Sequence, residues 1–342
     1  MSEPRPPRLS LARLPTPLER SPRVGPRLGV TLFWKRDDLT GIGLSGNKIR
    51  KLELLLAEAE ALGSDTVITC GGEQSNHCRA TALAAAQRGL GCVLLLRVPD
   101  PAAPPPPAAN SLLDRLAGAQ VRYVSFAEYQ RRDEIFAAVE DELRRGGKRP
   151  YLIPEGGSNA LGAWGYVAAT EELRGQLAAL APERAAGPVI IAYATGSGGT
   201  GAGIELGLRL LGWTSARAIG FAVCDDRAFF QRRIAAIADE AIRRWSLPVA
   251  IRPDEITIDD RFIGPGYART TPEMLAVIPE VASAEGLVLD PVYTGKAFFG
   301  LTEWLRADAD ARGATVVFLH TGGIFGLFPF APDLARAVAA RG

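Results

Sequence analysis

Histidine and lysine are scarce in this chain, and their scarcity narrows the chemistry. Of 342 residues only two are histidine, His77 and His320, so a histidine-rich metal site is excluded. The four cysteines (Cys70, Cys78, Cys92 and Cys224) show no CxxC spacing, which suits a reducing cytoplasm and excludes a disulfide framework. No GxSxG elbow is present for a serine-hydrolase nucleophile. No apolar run approaches the roughly 18–20 residues that span a bilayer. The start, MSEPRPPRLSLARLPTP, has no apolar core of a secretory signal, so none is expected. Lys+Arg of 39 against Asp+Glu of 38 leaves a net charge of +1 and no basic field for nucleic acid. Lysine chemistry must use Lys35, Lys48, Lys51, Lys148 or Lys296, because the other basic residues are arginine.

What is present reads as an ordinary globular α/β chain. The hydrophobic fraction is 47% and the charged fraction 23%, and the length predicts about two domains with a sizeable core. The first 29 residues hold seven prolines and six arginines, which predicts an extended arm rather than a helix. Apolar runs at Thr31–Lys35, Thr66–Thr69, Cys92–Val98, Val121–Ser125, Tyr151–Pro154, Val189–Ala194, Ala218–Val223 and Ala314–His320 read as strands. Amphipathic stretches such as Asn47–Leu62 and Asn76–Arg88 fall between them, and this alternation predicts parallel sheet wrapped by helices. The segment PDPAAPPPPAA (Pro99–Ala109) reads as a surface crossover loop or a lip over a cleft.

Three glycine-rich turns carry candidate chemistry. Thr195-Gly-Ser-Gly-Gly-Thr-Gly-Ala-Gly203 follows the apolar strand PVIIAYA and opens an amphipathic stretch, Ile204–Leu211. Glycines there let backbone N–H groups converge on an anion at a helix N-terminus, and Thr195, Ser197 and Thr200 add hydroxyl donors. This is a phosphate cradle without the GK[ST] ending of a nucleotide loop. Gly196, Gly198 and Gly201 also fit GxGxxG, with Asp225 after the next strand, so the motif by itself leaves a dinucleotide site open. The second turn, Ser45-Gly-Asn-Lys48, places a lysine at a helix start. A lysine beside a phosphate pocket suits a Schiff base to pyridoxal 5′-phosphate. Lys296, after Tyr-Thr-Gly at another helix start, competes with Lys48 on spacing. In the third turn, Cys70-Gly-Gly-Glu-Gln-Ser-Asn-His77, Ser75 reads as a helix N-cap. Ser75, Asn76 and His77 can equally offer backbone N–H groups and a hydroxyl to a carboxylate.

Eight segments in order resemble the pyridoxal-phosphate family that includes D-cysteine desulfhydrase and 1-aminocyclopropane-1-carboxylate deaminase. They are SGNKIRKLE (45–53), EQSNHCR (73–79), LLDRLAGA (112–119), PEGGSNALGAWGY (154–166), ATGSGGTGAG (194–203), GPGYA (264–268), LDPVYTGKA (289–297) and HTGG (320–323). The resemblance implies the two-domain tryptophan synthase β-like fold, also called fold type II. Its large domain would comprise residues 1–51 and 162–342, with a small inserted domain at 52–161. It implies that Lys48 is the Schiff-base lysine and that Asn76 meets the cofactor's phenolic oxygen. Thr195, Gly196, Ser197, Gly198, Gly199 and Thr200 would hold the phosphate, with Lys51 nearby. Ser75, Asn76 and His77 would bind the substrate carboxylate, and Ser75 would be a proton-transfer candidate. Tyr267 and Tyr293 would face the substrate, and Thr294 would sit at the pyridine nitrogen. A homodimer acting on a small amino acid, without metal, is implied as well.

Thr294 separates the two named activities. The deaminase pattern reads VYEGK, whereas this chain reads VYTGK, as in the desulfhydrase. A carboxylate at the ring nitrogen favours its protonated form and a stronger electron sink. A hydroxyl can instead donate to an unprotonated nitrogen, giving a weaker sink that suits loss of a thiolate better than opening of a cyclopropane. The expected reaction is β-elimination from D-cysteine to pyruvate, sulfide and ammonia. 1-Aminocyclopropane-1-carboxylate, cysteate or another β-substituted amino acid remains an alternative substrate, and a nicotinamide-dependent oxidoreductase or a non-catalytic binding protein a distant one. Ser45, Glu73 and Ile324-Phe325 depart from the usual pattern, and Phe325, Phe328 and Phe330 read as core filling, with a narrowed pocket as the alternative.

Overall fold

The computed structural model describes residues 5–308, 311 and 313–341. All eight strands expected from the apolar runs form, and two short ones join them. In chain order the strands are β1 (Leu18–Arg20), β2 (Thr31–Lys35), β3 (Thr66–Gly72), β4 (Gly91–Arg97), β5 (Gln120–Val124), β6 (Pro150–Leu152), β7 (Val189–Thr195), β8 (Ala216–Ala222), β9 (Ile258–Asp259) and β10 (Thr315–Leu319). They build a six-stranded sheet, ordered β1-β2-β10-β7-β8-β9, and a four-stranded sheet, ordered β5-β4-β3-β6. Every pairing is parallel except that of β1 with β2. The α/β architecture with helix-flanked parallel sheets is therefore the one the alternation predicts.

Burial on both faces explains why the central strands are continuously apolar. Along β10, Val316 and Phe318 join a core cluster with Trp34, Leu275, Ile278, Phe298 and Leu301. The alternate residues Val317 and Leu319 join another with Tyr166, Leu173, Leu177, Ile204 and Leu208. Strand periodicity thus sends successive side chains to opposite helical layers.

The amino-terminal arm departs from expectation. Within it Leu18–Arg20 pairs antiparallel with β2, and Val24–Arg27 makes a single helical turn. A distant residue accounts for that turn: Glu285 Oε1 accepts the backbone N–H groups of Arg23 (3.0 Å) and Val24 (2.7 Å) and the hydroxyl of Ser21 (2.7 Å). No local propensity could reveal a cap supplied from across the chain. The two-residue strand β9 is likewise too short to show a period.

Helices Lys48–Ala61 and Asn76–Gln87 form within a residue of their expected bounds. The proline-rich segment runs as an exposed loop until Ala109 begins a helix, Ala109–Leu116. Its end lies against the Ser75 turn, where Gln74 Nε2 donates to Ala108 O at 3.0 Å. The aromatic cluster does not fill core as expected. Phe328 is 58% exposed, and Phe325 is half-buried with its ring 5.0 Å from the Arg79 guanidinium.

Candidate active site

The three glycine-rich turns and the HTGG segment all follow carboxyl ends of strands, where open α/β sheets bind ligands. Two of these turns lock together directly. Asn47 N–H donates to Thr321 O (3.1 Å), so the HTGG turn after β10 fixes the residue preceding Lys48. Gly46 allows this approach: its φ is +101°, and a Cβ there would lie 2.7 Å from Thr321 O. His320 beneath is buried; it accepts Gly322 N–H at Nδ1 (3.3 Å), which leaves Nε2–H for Val288 O (3.1 Å).

Lys48 opens its helix and is half-buried, with Nζ donating to Asn47 Oδ1 at 2.9 Å. Burial pushes its amine down to about 8; Asp290 opposes the shift and Arg79 adds to it. The structure separates Lys48 from the competing lysines. Lys296 spends its amine on backbone carbonyls of Ile263 (2.8 Å), Gly266 (2.7 Å) and Val223 (3.4 Å), so its role is to tie segments together. Lys35 is held by Thr16 O, Glu172 and Gln176, and Lys148 lies in an exposed turn.

The helix that carries Lys48 is anchored from beneath by Arg50. Its guanidinium grips Asp37 through Nε (2.9 Å) and Nη2 (2.8 Å) and reaches Glu172 through Nη1 (3.0 Å). Tyr166 OH donates to Asp37 at 2.6 Å and Thr16 Oγ1 at 2.8 Å, completing a paired buried network.

At the cradle, β7 ends at Thr195 and a helix begins at Gly199. Gly198 turns the chain with φ +86°, a left-handed conformation that suits glycine. Among the described residues Thr195 Oγ1 is buried without a hydrogen-bond partner. Ser158 sits at the centre: its Oγ lies 2.8 Å from Ser197 Oγ, accepts Gly199 N–H at 3.2 Å, and accepts from Lys51 Nζ at 3.3 Å. Lys51 also donates to Gly156 O (3.3 Å) and is buried, with its amine held well below the usual lysine range by desolvation and by Lys48. Asn47 Nδ2 donates to Thr200 Oγ1 at 3.1 Å, linking the lysine turn to the cradle. Cβ atoms on Gly196 and Gly199 would meet Tyr293 at 3.1 Å and Ser158 Oγ at 2.6 Å. An orphaned hydroxyl, a buried lysine and a cradle that side chains would fill together fit a phosphate monoester such as that of pyridoxal phosphate.

On the facing side, Ser75 is the N-cap, accepting Cys78 N–H at 3.2 Å, and this leaves the first-turn N–H groups of Asn76 and His77 without intrahelical acceptors. His77's imidazole is turned to Thr69: its Nε2 lies 2.9 Å from Thr69 Oγ1, whose own proton goes to Ile153 O (2.8 Å). Burial with Lys48 and Lys51 keeps it neutral, so His77 has only its backbone N–H to offer a carboxylate. Tyr267 and Tyr293 share a hydrogen bond at 2.9 Å, and Lys48 Nζ lies 5.7 Å from the Tyr293 ring centroid. Burial raises both phenols, Tyr267 to about 12, so they are hydrogen-bond donors rather than bases near neutral pH.

Thr294 is wholly buried, but its hydroxyl is already committed. It donates to Asp290 Oδ1 (2.7 Å) and accepts Asp290 N–H (2.7 Å). Donation to an unprotonated ring nitrogen, expected from the sequence, is not open to the hydroxyl in this arrangement. Ser158, Asp290 and Asn110, which bonds Asn76, are the contributors that sequence reasoning missed. Ser158 and Asp290 lay inside matched motifs, PEGGSNALGAWGY and LDPVYTGKA; Asn110 carried no local signal.

Residues 9–322 match the pyridoxal-phosphate dependent enzyme family. The chain belongs to that family. It is 42% identical over 95% of its length, and 80% of the relative's, to the mitochondrial bifunctional D-cysteine desulfhydrase/1-aminocyclopropane-1-carboxylate deaminase of Arabidopsis thaliana. With the D-cysteine desulfhydrase of Klebsiella pneumoniae (strain 342) it shares 40% identity, covering 96% of this chain and 97% of that one. Among solved structures, the crystal structure of a 1-aminocyclopropane-1-carboxylate deaminase homologue superposes with a TM-score of 0.84 at 37% identity, covering 97% of this chain and 96% of that one. An O-ureido-L-serine synthase at 17% identity and a TM-score of 0.64 shares the fold. Membership settles the cofactor as pyridoxal phosphate and removes the dinucleotide reading that GxGxxG left open.

Proposed function

We propose that this enzyme catalyses β-elimination from a small β-substituted amino acid, with D-cysteine as substrate: sulfide departs, and water hydrolyses the released aminoacrylate to pyruvate and ammonia. The observation that carries the reading is Thr294: a buried hydroxyl stands where the deaminase pattern has a carboxylate, and Asp290 behind it is saturated by its own loop. Lys48 is the residue that holds the cofactor through its carbonyl carbon, and Thr195–Thr200, with Lys51 and Ser158 behind them, hold its phosphate. Asn76 meets the phenolic oxygen.

Bound pyridoxal phosphate supplies the electron sink that makes the α-proton labile. The protein supplies the proton handling. With its amine near 8, Lys48 is the group in the site poised to take the α-proton close to neutral pH. Ser75 and the backbone N–H groups of Asn76 and His77 orient the substrate carboxylate, and the Tyr267–Tyr293 pair closes the other side and donates to the departing sulfur.

We also read the chain as two domains, 1–51 with 162–342 and 52–161; the four-stranded sheet, whose strands all lie between residues 66 and 152, supports that division. A cytoplasmic homodimer is the expected form. Among the described residues no helix is long and apolar enough to cross a membrane.

The test is sulfide release from D-cysteine by the pyridoxal-phosphate-loaded enzyme, with L-cysteine and free cofactor as controls. D-selective release above both controls supports the proposal. Its absence, with turnover of 1-aminocyclopropane-1-carboxylate or cysteate instead, reassigns the substrate.

A further inference from the structure

A terminal amide can be placed either way round, and for Asn76 the choice decides whether it offers the cofactor a donor or an acceptor. Here a chain of hydrogen bonds through two buried residues, Arg79 and Asn110, makes the choice. It begins at Arg79, which is fully buried and can only donate. Arg79 Nε donates to Asn110 Oδ1 at 3.2 Å, and Asn110 Nδ2 donates to the backbone carbonyl of Gln74 at 3.0 Å. Reversing the Asn110 amide would set its NH2 against the Arg79 N–H and its oxygen against the Gln74 carbonyl, so only one orientation satisfies both. In that orientation the second N–H of Asn110 faces Asn76 and donates to Asn76 Oδ1 at 3.0 Å. The Asn76 carbonyl is thereby used, and its Nδ2 is left as the group free to donate.

The same guanidinium is tied to the loop that delivers Lys48. Arg79 Nη1 donates to Gly43 O and Nη2 to Ser45 O (3.1 Å), while Phe325 covers it at 5.0 Å. Asn110 is fully buried, so water cannot replace its bonds, and its own backbone N–H is fixed by Gln74 Oε1 at 3.0 Å. Arg79 therefore sets the position of the lysine loop and, through Asn110, the polarity of Asn76.

We propose that Asn110, oriented by Arg79, is a positioning residue that holds Asn76 with its amide N–H donor toward the cofactor's phenolic oxygen. The proposal rests on the reading that Asn76 contacts that oxygen. A donor there stabilises the oxygen's anionic form, whereas an amide carbonyl would repel it.

The experiment is a double-mutant cycle between Asn110→Ala and Asn76→Ala, read by titrating each apoenzyme with pyridoxal phosphate and recording the visible absorption of the bound cofactor. Asn110→Asp is the near-isosteric second variant, because its carboxylate still accepts from Arg79 but draws the Asn76 NH2 toward itself. Thermal unfolding of each apoenzyme checks folding. The expected result is an altered visible band and cofactor affinity about tenfold weaker for Asn110→Ala, Asn110→Asp and Asn76→Ala alike. Adding Asn110→Ala to Asn76→Ala should produce no further change. A wild-type spectrum and affinity in both folded Asn110 variants would overturn the positioning role, as would an Asn110 effect that persists undiminished without Asn76. If wild-type protein develops the visible band but Asn76→Ala leaves it unchanged, the reading of Asn76 itself fails. Absence of the band in wild type would instead remove the cofactor site.

Discussion

The Thr294 hydroxyl and the Asp290 carboxylate are joined twice: Oγ1 donates to Oδ1 at 2.7 Å, and the Asp290 N–H donates back to Oγ1 at 2.7 Å. Asp290 also accepts the N–H groups of Val292, Tyr293 and Thr294, so it caps the helix Thr294–Ala307 from inside the protein. Desolvation nevertheless raises its carboxyl above the ordinary range. Thr294→Val, which keeps the shape and removes the hydroxyl, leaves a buried N–H unpaired and strips one donor from the carboxylate. The expected cost is about 2 kcal/mol, measured as a lower urea midpoint at unchanged slope. A midpoint equal to wild type would show that the pair contributes nothing to the fold.

The five lysines divide by what holds their amines. Lys48→Ala should abolish the visible band of the bound cofactor and lower turnover by at least about a thousandfold, since in the proposed reaction both attachment and proton transfer use that nitrogen. Lys296→Met should retain the band, yet unfold earlier, because the carbonyls of Ile263 and Gly266 lose a buried donor. A lost band in the folded Lys296 variant, with retention in the Lys48 variant, would reverse the assignment.

Lys48 also makes a stability prediction with a definite sign. Its amine titrates near 8 in the folded apoenzyme against 10.5 in the unfolded chain. Between those values the unfolded state binds the extra proton, so this residue's contribution to stability rises with pH and levels off above about 10.5. Below about 8 the penalty of burying the ammonium is fully present. Urea unfolding of apoenzyme at pH 7 and pH 10 should therefore show wild type gaining relative to Lys48→Met as pH rises. A constant difference would place the Lys48 pKa at its unfolded value.

The strands were legible because burial on both faces gives unbroken runs such as Val189–Ala194 and Ala314–His320, which a local window detects. The cradle was legible for a related reason: a strand, then glycines and hydroxyls, then a helix is a contiguous signal. Glu285 capping the turn at Val24 was not legible, because its partners lie some 260 residues away and a lone glutamate carries no mark of that role. Phe328 misled for the opposite reason, since an aromatic residue beside others suggests core whether or not another element covers it.

Sequence by itself determined the alternating architecture, the strand–glycine turn–helix at Thr195–Gly203 and a short list of lysines, since these depend on periodicity, glycine placement and residue supply within single segments. Tertiary structure alone decided that the Lys296 amine is tied to backbone carbonyls, that the His77 ring turns to Thr69 and the Thr294 proton goes to Asp290, and that Asn110 donates to Asn76 Oδ1. Each of those outcomes depends on which acceptor lies within about 3 Å of a donor, and in a folded chain that distance is set by the packing of whole elements rather than by spacing along the sequence.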